Sequence, residues 1–407
     1  MRALLLENIH LDAVSLLDKA GLEVECLDRA PSEDELCQRL EGVHVLGIRS
    51  QTQVTERVLE SAKALQAVGA FCIGTNQIDL ASAARLGVAA FNAPYSNTRS
   101  VVELALAEMI SLTRNLTGKN QSMHAGVWDK SAAGSHEIRG RRLGIVGYGN
   151  IGSQLSVIAE SLGMSVFFYD VTDKLALGNA RSCGTLAELL EAVDIVTLHV
   201  DGRSGNRDFF GEEHFARMRA GSIFLNLSRG FVVDHAALRD HLRSGHLSGA
   251  AIDVFPTEPR SAADPFISEL QGLDNVILTP HIGGSTEEAQ QDIGNFVGNK
   301  LVRYLDSGAT PMCVNLPTLD LPVTPKASRL LYIHHNVPGV LAEVNSLVAD
   351  HGMNIEAQLL GTRDQTGYVV TDVATEPPDD LLRALEELDA TVRLRLIPLS
   401  AGEVVSN

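Results

Sequence analysis

Hydrophobic positions along the chain fall into three successive rhythms. Over residues 1–94 short apolar runs recur at Arg2–Leu6, Val24–Leu27, Val45–Ile48, Ala67–Ala70 and Val88–Phe91. Between them, Leu11–Ala20, Asp34–Leu40 and Thr55–Ala62 carry apolar residues at helical spacing. Short runs separated by amphipathic helices predict a small parallel α/β layer, complete by Asn92-Ala93-Pro94. A long helix is predicted from about Thr98 to Leu116, with Val101, Leu104, Ala105, Glu108, Met109 and Leu112 at helical spacing. Its length suits a crossover between domains. His124 to Ile138 is less regular and holds the single tryptophan, Trp128.

The second rhythm repeats the first on a larger scale. Strands are predicted at Leu143–Val146, Ser165–Tyr169, Asp194–Val200, Ser222–Leu227, Gly249–Phe255 and Val276–Thr279. Helices fall near Leu186–Val193, Glu212–Met218 and Ala236–Ser244, which gives about six strands, the number in a doubly wound dinucleotide domain. A helix over Glu287–Leu305 is expected to return to the first layer. From Asp306 to Ala327 the helical pattern stops and Pro311, Pro317, Pro322 and Pro325 mark a linker. The third rhythm is strand Leu330–His335, helix Gly339–Asp350, strands Asn354–Gly361 and Gly367–Ala374, helix Asp379–Leu388 and strand Thr391–Ile397. That β-α-β-β-α-β order is ferredoxin-like.

One turn carries the clearest chemistry. The strand Leu143–Val146 enters Gly147, Gly149 and Gly152, spaced G-x-G-x-x-G, and a helix follows with Ile151, Leu155, Ile158, Ala159 and Leu162 at helical spacing. Such a turn brings a pyrophosphate against bare backbone and the N–H groups opening the helix. Asp170 closes the next strand, where a carboxylate accepts from the adenosine ribose hydroxyls. It would repel a 2′-phosphate, and no Arg follows in Val171-Thr172-Asp173. NAD is therefore the expected cofactor, rather than NADP.

Composition narrows the setting. The 407 residues suffice for two or three domains, and no apolar run approaches the roughly 20 residues that span a bilayer. The first residues do not read as a signal peptide. Five scattered cysteines without C-x-x-C predict reduced thiols in a cytoplasm, with neither a disulfide frame nor a metal site. A net charge of −18 argues against nucleic acid or an anionic membrane as partner, so an anionic substrate needs a locally basic site.

In an open parallel sheet, function sits past the C-terminal strand ends. Three ends stand out: Ser228-Arg229-Gly230, the stretch from Asp253 to Pro259 with Glu258, and Pro280-His281-Ile282-Gly283-Gly284. Oxidising a 2-hydroxy acid needs these residue types. Arg pairs bidentately with a carboxylate, His takes the hydroxyl proton, and Glu accepts the other imidazole N–H and raises its pKa. Singly, each has a plain reading: a surface ion pair, a solvated acid, a turn. Their convergence on one sheet edge favours chemistry.

These stretches, with Gly74-Thr75-Asn76-Gln77-Ile78-Asp79, Asn92-Ala93-Pro94, Asn97-Thr98-Arg99-Ser100 and the run Thr279 to Thr286, resemble the D-isomer-specific 2-hydroxyacid dehydrogenase family, in its shorter form with a C-terminal ACT regulatory domain. The resemblance spans essentially the whole chain. It implies an α/β fold of two doubly wound parallel-sheet domains, a flavodoxin-like substrate domain (1–94 and 287–310) and a Rossmann NAD domain (95–286). A linker (311–327) and a ferredoxin-like ACT domain (328–407) would complete it. It implies Arg229, Glu258 and His281 as the catalytic trio, and Asp253 at the nicotinamide carboxamide. Asn150, Ile151, Leu227, Ser228, Gly283 and Gly284 would line the cofactor, and Arg49, Ser50 and Asn97 would hold the substrate. The implied reaction is oxidation of D-3-phosphoglycerate to 3-phosphohydroxypyruvate, entering serine synthesis. Alternatives are reduction of another 2-oxo acid, such as 2-oxoglutarate, and a non-catalytic NAD-sensing protein.

Departures from the family pattern are also legible. Gln51 follows Arg49-Ser50 where a second basic residue is common, leaving fewer charges for a phosphate. Asp201 replaces the usual proline after His199-Val200, and its loop is expected to alter the rim near the adenosine. Trp128 and Lys130 resemble residues that reach a neighbouring subunit, and a homotetramer is implied. In the tail, His334, Asn336 and Asn354 match positions that bind L-serine in related enzymes, against the alternative of a purely structural dimerising module.

Overall fold

Parallel strands need crossovers, and an amphipathic helix follows nearly every apolar run. In the computed structural model, which describes residues 1–259, 264–322 and 327–398, the chain forms two compact units. One is Met1–Pro94 with the chain from Gln291 onward, and the other is Tyr95–Gln290.

The first unit opens with β1 (Arg2–Leu5), α1 (Leu11–Lys19), β2 (Glu23–Cys26), α2 (Glu33–Arg39), β3 (Val45–Ile48), α3 (Glu56–Ser61), β4 (Ala67–Ala70), α4 (Leu80–Arg85) and β5 (Ala89–Asn92). The strands pair in parallel in the order β2-β1-β3-β4-β5, which is the flavodoxin-like order. Leu4, Leu46 and Val68 pack on one face and Leu5, Val45 and Phe91 on the other. Burial on both faces is why these strands read as unbroken apolar runs.

The second unit contains α5 (Thr98–Arg114), α6 (Leu116–His124), β6 (Arg142–Val146), α7 (Asn150–Ser161), β7 (Ser165–Tyr169), β8 (Arg181–Ser182), α8 (Leu186–Ala192), β9 (Ile195–Leu198), α9 (Glu212–Arg217), β10 (Ser222–Asn226), α10 (His235–Arg243), β11 (Leu247–Ile252) and β12 (Val276–Leu278). Its parallel sheet runs β12-β11-β10-β9-β6-β7-β8, the Rossmann order with one strand added at the β12 edge. Two expectations change here. The helix read over 98–116 stops at Arg114, because Asn115 adopts a left-handed φ of 48° and starts α6 at a new angle. The sheet has seven strands rather than about six. The strand not expected is β8, which is two exposed residues long and leaves no hydrophobic signature.

Helix α11 (Glu287–Ser307) leads back to the first unit, where Val297, Leu301 and Tyr304 join the core under β5. The tail is β13 (Ser328–His335), α12 (Val340–Asp350), β14 (Ile355–Arg363), β15 (Thr366–Val373), α13 (Asp379–Glu386) and β16 (Thr391–Pro398), an antiparallel sheet in the order β14-β15-β13-β16. Helices α12 and α13 cover one face. The other face contributes Leu331, Ile333, Tyr368 and Val370 to the first unit's core.

The stretch expected as a linker over 311–327 is not a free spacer where it is described. Asn315, Leu316 and Leu319 are buried, and Asn315 donates to Val88 O and accepts from Ala90 N, both at 2.8 Å, along the edge of β5. Prolines end a helix, but they do not keep a chain in solvent. Residues 323–326, within that linker, and 399–407, at the end of the expected ACT domain, lie outside the described residues. Arg329 and Asp372 form a fully buried bidentate pair at 2.6 and 2.8 Å. Arg329 also donates to Ser307 O, Leu321 O and Pro322 O, so its burial is compensated and it ties β13 to the end of α11. Among the described residues no helix is long and apolar enough to cross a membrane.

Candidate active site

The dinucleotide turn is built as its spacing predicts. Gly147 follows β6 with φ 93°, and a Cβ there would meet His199 O at 2.5 Å. Only glycine fits. Around Gly149 nothing lies within 4 Å of where a Cβ would stand, so the turn opens onto free space. Gly149 caps α7 with no side-chain hydrogen bond, which leaves the first N–H groups of α7, from Asn150 and Ile151 on, to an anion. Gly152 is buried in the first turn of that helix.

Asp170 closes β7 beside this turn. Its Oδ2 accepts from Tyr148 N at 2.8 Å, and its Oδ1 accepts from Thr172 N and Oγ1 at 3.0 and 2.9 Å. Partial burial works against ionisation, yet these donors hold the carboxyl below its ordinary range. A cradle that a Cβ would fill, free helix N–H groups and an ionised acid at the next strand end fit a dinucleotide with unphosphorylated ribose.

Past the ends of β10, β11 and β12 lie the other candidates. Asp253 is buried directly after β11. Its Oδ1 accepts from Thr279 Oγ1 at 2.6 Å and Ile282 N at 2.8 Å, and its Oδ2 accepts from Gly283 N at 2.8 Å. Those bonds fix the loop that carries His281, whose own φ is 53°. His281 Nδ1 stands 2.9 Å from Glu258 Oε2, while Glu258 Oε1 accepts from Phe255 N at 3.2 Å. The two side chains remain 43 and 38 % exposed, so the imidazole edge is reachable. The hydrogen bond to Glu258, with its charge, raises the His281 pKa above 6.5 against the opposing effect of burial. Burial pushes Glu258 the other way, but His281 and the Phe255 amide keep its carboxyl below the ordinary value.

Arg229 follows β10 through a compact turn. Leu227 and Ser228 are buried there, Asn226 Oδ1 accepts from Ser228 N and Oγ, and Asn226 Nδ2 donates to Arg229 O at 3.1 Å. Arg229 Nη1 donates to Ser228 O at 2.7 Å. A Cβ on Gly230 would stand 1.9 Å from the Phe255 carbonyl carbon, so glycine alone lets this turn close on the segment before Glu258. In the loop from Asp201, Gly202 packs on the Arg229 side chain, with a Cβ position 3.2 Å from Nε, and Arg203 feels the charge of Asp170. Asp201 itself accepts from Arg203 and Asn206.

Of the substrate candidates, Arg49 and Ser50 follow β3 in the first unit, where Gln77 Nε2 donates to Arg49 O at 2.7 Å. Asn97 belongs to the second unit. It caps α5, faces Gly284 and has a buried, unpartnered Oδ1. In the tail, His334 is buried with its Nδ1 2.8 Å from His335 O and its Nε2 unpartnered. Asn336 Nδ2 donates to Asp364 O at one end of the β14–β15 hairpin, whereas Asn354 O accepts from Ala374 N at the other. The nine residues of β14 separate them by about 30 Å, so one chain does not bring the two side chains together.

Two buried carboxylates, one in each unit, were not singled out by sequence reasoning. Glu108 lies on the buried face of α5, 3.5 Å from Thr279 Oγ1, with Oε2 unpartnered. Burial, reinforced by the Asp253 charge, pushes its pKa up to about 8. An acid within the apolar stripe of a helix was the available signal. Glu7, which ends the apolar run of β1, binds the Arg49 loop.

A family model described as "D-isomer specific 2-hydroxyacid dehydrogenase, NAD binding domain" matches residues 106–283. The D-3-phosphoglycerate dehydrogenase of Haemophilus influenzae is 49 % identical over 98 % of this chain and 97 % of its own. That of Escherichia coli K12 is 48 % identical over the same shares. The chain belongs to the D-isomer-specific 2-hydroxyacid dehydrogenases. As a member of that family it is an oxidoreductase with NAD as cofactor. Among solved family structures, D-2-hydroxyisocaproate dehydrogenase aligns with a TM-score of 0.68 at 25 % identity, covering 77 % of this chain and all of that one. The tail matches a second model, an AHAS small subunit-like ACT domain, over residues 330–393.

Proposed function

We propose that this dehydrogenase oxidises D-3-phosphoglycerate to 3-phosphohydroxypyruvate, the entry to L-serine synthesis. The observation that carries the reading is the match, tail included, to relatives of that name over 98 % of the chain. Arg229 pairs with the substrate carboxylate, and Arg49, Ser50 and Asn97 hold the rest of the molecule. His281 accepts the hydroxyl proton at Nε2, the ring nitrogen turned away from Glu258. Glu258 takes the Nδ1 hydrogen bond, which fixes the tautomer and supports the positive charge as it forms. NAD, when bound, supplies the hydride acceptor. Asp253 would hold its carboxamide, Asp170 its ribose, and Gly147, Gly149, Asn150, Ile151 and Gly152 its pyrophosphate, with Leu227, Ser228, Gly283 and Gly284 lining the rest.

The same reading makes residues 1–94 and 287–310 the substrate domain, 95–286 the NAD domain and the tail a regulatory module that binds L-serine. Asn336 and Asn354 sit at opposite ends of one hairpin, so a site using both needs two copies side by side. The enzyme is accordingly a homo-oligomer, assigned as a tetramer. Trp128, 77 % exposed, is available to a neighbouring subunit. Five scattered cysteines without a C-x-x-C pair suit a cytoplasmic setting. The test follows NADH absorbance with NAD, D-3-phosphoglycerate and a ketone trap, and in reverse with NADH and 2-oxoglutarate. Turnover of the first is expected. Activity on 2-oxoglutarate alone moves the enzyme to another 2-hydroxy acid, and no turnover of either leaves an NAD-binding protein.

A further inference from the structure

At the end of β1 the chain makes an uncommon turn. Glu7 and Asn8, neither a glycine, both take left-handed φ values of 63° and 54°. The turn aims the buried Glu7 carboxylate at the loop after β3. Its Oε1 accepts from Arg49 N at 3.1 Å and Thr52 N at 2.9 Å, and its Oε2 accepts from Gln51 N at 2.9 Å. The Glu7 carbonyl accepts from Arg49 Nη1 at 3.3 Å. One residue thus holds Arg49 at both its backbone and its guanidinium.

Three converging backbone N–H groups are an anion-binding nest. Here the nest is filled from within the chain, so a substrate anion cannot use it and depends on side chains instead. Of these, Gln51 is neutral, and Arg49 is the loop's cation. We infer that Glu7 is the positioning residue of the substrate loop: it spends the loop's backbone donors on an internal carboxylate to fix the Arg49 guanidinium for the anionic end of the substrate. This rests on the proposed role of Arg49. It sets two effects of Glu7 against each other. Its negative charge repels an anion, while its hydrogen bonds hold the group that binds one. The number and closeness of those bonds make geometry the larger effect.

The sign of one change decides between them. E7Q removes the charge and one acceptor oxygen at nearly constant volume, and E7D keeps the charge but shortens the reach. Arg49 grips substrate and transition state alike, so both variants are expected to raise KM for D-3-phosphoglycerate about tenfold. We expect kcat to stay within about twofold and KM for NAD to be unchanged. Amide hydrogen exchange at residues 49, 51 and 52 is expected to quicken in both variants, while exchange along β1 and β3 holds. A fall in KM for E7Q overturns the inference in favour of simple repulsion. A joint collapse of kcat, NAD affinity and melting temperature reduces Glu7 to a structural residue, and unchanged KM with unchanged exchange removes it from the loop. If wild-type protein does not oxidise D-3-phosphoglycerate, the proposed function fails on that count, and the exchange measurement still decides whether Glu7 holds the loop.

Discussion

His281 Nδ1 and Glu258 Oε2 lie 2.9 Å apart across a sequence separation of 23 residues, each delivered by the end of a different strand. Oxidation needs the neutral imidazole, so kcat/KM should rise with pH through the His281 pKa, which Glu258 raises. Glu258→Gln keeps a hydrogen-bond acceptor and removes the charge. The rising limb of its pH profile should move to lower pH, with reduced kcat. An unmoved limb would separate Glu258 from the imidazole.

Asp170→Ala should cost about 1–3 kcal/mol of NAD binding, the scale of hydrogen bonds to a charged group. It should also relax the preference for NAD over NADP. Titration of both cofactors by fluorescence reads the two effects together. Equal affinities in wild type and variant would take Asp170 out of the site.

Glu108 predicts a pH-dependent stability. Its folded-state pKa is raised by burial, so its contribution is least unfavourable below about 4.5. Stability is then lost as pH climbs toward about 8. Near pH 7 the loss by linkage is roughly 3 kcal/mol. Glu108→Gln should therefore unfold at higher denaturant than wild type at pH 8, and the gap should close by pH 5. A gap independent of pH would mean that Glu108 does not titrate upward.

L-serine should inhibit the intact enzyme, and Asn354→Ala should abolish that response. A tenfold inhibition requires about 1.4 kcal/mol of differential affinity between the two conformations. The expected route runs through the end of α11, where Arg329 donates to Ser307 O and Tyr368 OH donates to Gly308 O at 2.7 Å. Absence of binding by calorimetry at saturating serine would make the tail an assembly module.

Residues whose position is fixed by a backbone turn were legible in the sequence. Gly147 and Asp170 could be placed because strand, turn and helix are local, and His281, Glu258 and Arg229 because strand ends are visible as the ends of apolar runs. What could not be read depends on contacts between distant segments. Glu7 reaches the loop after β3 only because β1 and β3 are neighbours in the sheet. The packing of Asn315 on β5 is equally silent, since proline content reports where helices stop and says nothing about burial. The two-residue β8 lacked any pattern to find.

The central claim, that His281 takes the substrate proton, is tested most directly by His281→Ala in the NADH absorbance assay with D-3-phosphoglycerate, beside an NADH-binding titration. NADH affinity is expected to stay unchanged while kcat falls by about 10²–10⁴, the usual contribution of a general base. Turnover within a few-fold of wild type would contradict it.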